Sequence, residues 1–148
     1  MDEPTATGLE HAVDAALSVL SPAQDLDWQA IAHHLEWTCW ATGAHIAHDL
    51  LAYASQLSAR SAHSYLPLDL VVRPGAPVAG VLDAVRSCAG LLAMALRAAE
   101  PEARAWHWGP TDPTGFAALV ANIAGPRADR ALDPEHLHLA SPAGTMAR

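Results

Sequence analysis

Lysine is absent: the eight cationic side chains are all arginine and face sixteen Asp and Glu, for a formal charge of −8. A phosphate-binding surface would have to be built against that field, which argues against nucleic acid as a partner. Cysteine is scarce, and Cys39 and Cys88 alone cannot make a disulfide framework. Long apolar runs are missing as well. Although 51% of residues are hydrophobic, no uninterrupted stretch reaches the ~18 residues that a membrane span requires, so no membrane partner is expected. The opening Met-Asp-Glu-Pro lacks the basic and apolar regions of a secretion signal, and the chain reads as cytoplasmic with free thiols. Charged residues are only 16%, too few for an intrinsically disordered chain. The length of 148 residues suits one domain on the prior of about 150 residues per domain.

What is abundant is alanine, 33 residues, and histidine, nine. Thr7-Gly8-Leu9-Glu10 fits a capping box, after which Leu9, Val13, Leu17 and Leu20 recur at helical spacing until Ser21-Pro22. Trp28, Ile31, Ala32 and Leu35 predict a short helical piece, and a long helix follows from Thr38 to Ala59. On that helix Cys39, Thr42, Ile46, Leu50, Tyr53 and Leu57 share one face, expected to be buried. Ser61 to Pro77 reads as a connection containing a short extended piece, Leu68-Asp69-Leu70-Val71-Val72. Pro77 suits the first turn of a third helix with the stripe Val78, Val81, Leu82, Val85, Ala89, Leu92 and Leu96. Asp112-Pro113 starts a fourth, which Gly125-Pro126 stops after about three turns. The expectation is an all-α four-helix bundle over residues 1–124, with a short fourth helix and an irregular tail, 125–148, carrying a short turn at Glu135 to Leu139.

The densest set of candidate ligands is His45, His48 and Asp49, at i, i+3 and i+4 of the long helix. With Ile46 and Tyr53 at the centre of the buried face, Asp49 lies about 50° and His45 about 90° from it, whereas His48 lies about 160° away, toward solvent. His45 and Asp49 are therefore the metal candidates, since imidazole and carboxylate suit a divalent transition metal. The plainer account is a hydrogen-bonded His-Asp pair at a core boundary. Trp28, Trp37 and Trp40 read as packing anchors, and Cys39 and Cys88 as inert thiols on apolar stripes. Trp106-His107-Trp108 reads as a loop over one end of the bundle.

Trp37-Thr38-Cys39-Trp40 leading into His45-Ile46-Ala47-His48-Asp49-Leu50-Leu51-Ala52-Tyr53-Ala54, with Arg104-Ala105-Trp106-His107 and Asp112-Pro113-Thr114-Gly115-Phe116-Ala117-Ala118, carries a resemblance. Over roughly residues 7–120 the chain resembles the DinB-like four-helix proteins, specifically the actinobacterial, mycothiol-dependent maleylpyruvate isomerase type. That resemblance implies a divalent metal, usually zinc, held by one His on the second long helix and a Glu-x-x-x-His pair on the last. His45 matches the first ligand, and His48-Asp49 stand where many relatives have an acidic pair. The remaining slots fall near Ile123 and Arg127, neither of which can hold zinc. The resemblance thus implies a degenerate, inactive relative of mycothiol-dependent isomerases or thiol S-transferases, with a small thiol as partner. The change after Ala118 to a Pro- and Arg-containing tail is what a frame shift or a truncated gene would produce. Two rivals remain open. In one, Glu135 or His138 rebuilds the site, or two chains share it. In the other, the chain is a noncatalytic helical module that forms a homodimer through the groove beside the short fourth helix.

Overall fold

The computed structural model describes residues 5–32 and 35–124. His33, His34, Arg127, Gly125-Pro126 and the whole expected tail, with Glu135 and His138, lie outside these residues. Four helices dominate: α1 (Ala6–Leu20), α2 (Cys39–Ala59), α3 (Val78–Ala98) and α4 (Pro113–Ala124). A two-residue antiparallel ribbon, β1 (Ala105–Trp106) with β2 (Pro110–Thr111), precedes α4. Among the described residues the architecture is all-α apart from that ribbon. Helix α3 packs against both α1 and α2, while α4 packs on α1 and, less extensively, on α2.

Each helix begins where its cap dictates. Thr38 accepts a hydrogen bond from the Ala41 amide at 3.1 Å, satisfying one orphan donor of α2. Pro77 takes the N-cap position of α3, where its missing N–H costs nothing, and Asp112 Oδ1 accepts from the Gly115 amide of α4 at 2.8 Å. In α1 the cap is Thr5 rather than Thr7, accepting from the Gly8 amide at 3.2 Å. Glu10 is thereby too far along the helix to complete a capping box. It pairs instead with both guanidinium nitrogens of Arg97, which hold its carboxyl below the usual range and link α1 to α3.

The core is aliphatic and narrow. Leu9, Leu50, Leu92, Val81 and Phe116 are its largest fully buried side chains, and full burial of each contributes roughly 1.5–3 kcal/mol. Helices α2 and α3 approach at Gly43, where an added Cβ would stand 3.0 Å from Val81. Ala47, Leu50, Ala54 and Leu57 continue the buried face, so small residues set the contact and Ile46 moves to its edge. Helix α3 is long and apolar enough to cross a membrane by length and composition alone. Its stripe Val81, Leu82, Val85, Cys88, Ala89, Leu92 and Ala93 is buried in the bundle, as a core helix requires.

Two connections differ from a plain bundle. The described residues of the segment before α2, Trp28 to Ala32 and Leu35, are not helical. Its backbone pairs with the run into α2 instead: the Trp40 amide donates to Trp28 O at 2.8 Å, Cys39 to Ala30 O at 2.9 Å, and Ala32 to Trp37 O at 2.9 Å. Those cross-chain bonds outcompete a single helical turn, whose nucleation is costly. The α2–α3 connection, 60–77, makes no strand pair, but Leu70 and Val72 pack on the core. It leaves α2 through Arg60, a left-handed residue with φ of 50°.

Gln56 ties these pieces to α2. Its side-chain nitrogen donates to Ser64 O at 3.1 Å and Trp106 O at 3.0 Å, and its oxygen accepts from the Leu66 amide at 2.8 Å. Gln56→Leu keeps the volume and orphans all three groups. At roughly 1–3 kcal/mol per unsatisfied buried group, offset where water reaches them, a loss of about 2–3 kcal/mol is expected in urea denaturation.

Candidate metal centre

Relative to Gly43, which touches α3, helical geometry places His45 about 160°, His48 about 140° and Asp49 about 120° around α2. All three thus lie on the flank away from α3, and loops rather than helices cover them. The Trp37 ring meets His45 edge-on at 4.9 Å, held there by the backbone pairing that precedes α2. From the other side the α2–α3 connection brings Asp69 Oδ1 to 3.2 Å from His48 Nε2. His45 and His48 side chains are each only 21% exposed.

The donors converge. His45 Nε2 is 3.3 Å from Asp49 Oδ2, and His48 Nδ1 is 3.2 Å from Asp49 Oδ1. One ligand atom from each of the three residues lies within 4.8 Å of the others, and the two imidazoles stack with centroids 6.1 Å apart. A tetrahedral ion with bonds of ~2.1 Å needs donors ~3.4 Å apart; each imidazole is near that distance from its own Asp49 oxygen, and the three-atom set would have to contract from a spread of up to 4.8 Å. The His45-His48-Asp49 group can therefore hold a metal ion. Three protein donors with a position left over is also the ligand count of a catalytic zinc site.

Burial and charge act on the two rings in opposite senses. Desolvation pushes His45 below the ordinary imidazole value, against the attraction of Asp49, so its contact with that carboxylate is a hydrogen bond of a neutral ring rather than an ion pair. His48 is raised, first by its hydrogen bond to Asp49 and further by Asp69, against its own desolvation. One turn along, Tyr53 packs edge-on against His107 at 5.0 Å and Phe116 at 5.6 Å. Burial, and then the negative charge of Asp49, push its hydroxyl far above the usual range, so Tyr53 stays protonated and cannot serve as a base. Burial likewise raises the Cys88 thiol, consistent with an inert role.

The structure thus brings together His45 and Asp49 as expected, and corrects two expectations. His48 belongs to the group, because the connection folds over a face that helical angles alone leave to solvent. The pair looks onto a loop-covered flank, not into the groove between helices. The slot near Ile123 falls in the last turn of α4. Trp106-His107-Trp108 does cover one end of α2, within the ribbon and its aromatic cluster. Gln56 carried no local signal, and Asp69 only the neighbouring Leu70, which packs inward while Leu68 is exposed.

In metal-free protein the two histidines should tilt stability in opposite directions. With His48→Ala only the lowered His45 remains, so stability is full above pH ~6.5 and falls as pH drops below it. With His45→Ala the raised His48 remains, and its contribution is full below pH ~6.5 and is lost as pH rises through its folded value. Urea denaturation of both variants over about pH 5 to 8 should give slopes of opposite sign.

No protein-family model, curated protein or solved structure matches the chain.

Proposed function

We propose that this chain is a divalent-metal-binding helical protein of DinB-like ancestry, with zinc held by His45, His48 and Asp49. The observation that carries the reading is the convergence of those three donors, one ligand atom from each within 4.8 Å of the others. Two imidazoles and a carboxylate are the donor chemistry of zinc. The sequence resemblance supports the same choice, since its first ligand position is His45.

The resemblance also supplies a partner class, a low-molecular-weight thiol such as mycothiol. A bound zinc ion would supply thiolate at neutral pH, where a free thiol of pKa ~8.5 is only about 3% ionised. In this chain His45, His48 and Asp49 would hold the ion, and Trp37 shields one side of His45. Ile123 and Arg127 stand where relatives place a Glu and a His, so the reading is metal binding with degenerate isomerase or S-transferase chemistry. It places the protein in the cytoplasm, where Cys39 and Cys88 stay reduced.

Metal analysis and zinc titration test it. Wild-type protein should carry stoichiometric zinc, and His45→Ala should weaken binding by more than the ~10–100-fold that outer-shell changes cause. Purified protein that takes up no zinc overturns the reading.

A second reading is a noncatalytic module that pairs with a second copy. It is favoured by an open groove of about 410 Å³ lined by Leu51, Ala54, Leu91, Met94 and neighbours of α2 and α3, a different groove from the one beside the fourth helix that the sequence suggested. Leu91 is 42% and Met94 60% exposed. On this reading Met94→Glu shifts sedimentation from dimer to monomer, and a strictly monomeric wild type at micromolar concentration removes it.

A further inference from the structure

The α2–α3 connection is anchored on both sides of Asp69. Upstream, the Leu66 amide donates to Gln56 Oε1 at 2.8 Å. Downstream, Trp40 Nε1 donates to Ala76 O at 2.8 Å, and Leu70 and Val72 pack on the core between the anchors. Asp69 is thus delivered to α2 by a segment whose path is fixed independently of it. Its Oδ1 stands 3.2 Å from His48 Nε2, while the other ring nitrogen, Nδ1, stands 3.2 Å from Asp49 Oδ1.

A neutral imidazole offers a lone pair at one nitrogen only, and the hydrogen bond made by the other decides which. Carboxylates stand at both ring nitrogens of His48, Asp49 at Nδ1 and Asp69 at Nε2; a cation that takes Asp49 as a ligand displaces the proton at Nδ1, and Asp69 then keeps the remaining one on Nε2. We propose that Asp69 is a positioning residue for the metal centre: it holds His48 as the Nε2–H form, turning Nδ1 toward the cation position shared with His45 Nε2 and Asp49. This rests on the metal-binding reading of the site. Ligating histidines generally donate their second N–H to such an outer carboxylate, whose loss costs 10–100-fold in affinity. The Asp69 side chain is 81% exposed, so removing it takes nothing from the core.

Zinc affinity is measured by competition with a chromophoric chelator for the wild type, Asp69→Ala and Asp69→Asn. Asp69→Ala should bind zinc about 10–100-fold more weakly, whereas Asp69→Asn, which keeps an oxygen acceptor, should restore most of the loss. At a pH well above ~7, where the charge on His48 contributes least, metal-free Asp69→Ala should unfold in urea as the wild type does. Long-range proton–nitrogen spectra of zinc-loaded wild type should place the metal on His48 Nδ1 and the proton on Nε2. Wild-type affinity in Asp69→Ala, or zinc on Nε2, overturns the role of Asp69 while leaving the metal centre standing. A wild type that binds no zinc overturns the metal reading and this inference with it.

Discussion

The carboxamide of Gln56, 3% exposed on α2, is the interaction on which the placement of the α2–α3 connection and of the ribbon before α4 depends. A buried amide costs free energy unless its hydrogen-bonding capacity is met. Here it is met by backbone groups at Ser64, Leu66 and Trp106, drawn from two segments about forty residues apart in sequence. The start of the α2–α3 connection and the ribbon before α4 are thereby fixed to one helix by one side chain. The Trp106 amide, donating to Ser61 O, closes the same junction.

That junction decides what becomes of the other flank of α2. A helix face turned away from its bundle partners would ordinarily be solvated, and two histidines there would be unremarked surface groups. With the connection fixed, Asp69 reaches His48, and the pairing of Trp28, Ala30 and Ala32 with the run into α2 sets Trp37 on His45. Partial burial then divides the two rings, favouring a neutral His45 and a charged His48 around one shared carboxylate. The four polar side chains satisfy one another, and the same convergence is what a cation requires.

The bundle was legible in the sequence where apolar period and capping agree. The α2 and α3 boundaries follow from Thr38 and Pro77, and the α3 stripe from its aliphatic repeat. The orientation of α2 was not. Size puts Ile46 and Tyr53 at the centre of its face, but the close approach runs over Gly43, Ala47 and Ala54, rotating the buried side by about a quarter turn. That rotation carries His45 and Asp49 away from the groove, and the covering connection, which helical angles do not register, is why His48 read as solvated. Trp28 to Leu35 read as helix because apolar spacing cannot register backbone bonds to residues five to twelve further on. Gln56 and Asp69 were invisible for a related reason: their partners are fixed by tertiary path, to which periodicity is blind.

All three donors of the candidate centre lie within five consecutive residues of one helix. An ion held there would close only a minute loop of chain, so it would restrict the unfolded ensemble very little. It would act as a clamp on a single helical turn, not as a staple between distant parts. The ligand cassette and the bundle are consequently separable inheritances: substitutions could erase or re-create the cassette without threatening the scaffold that carries it.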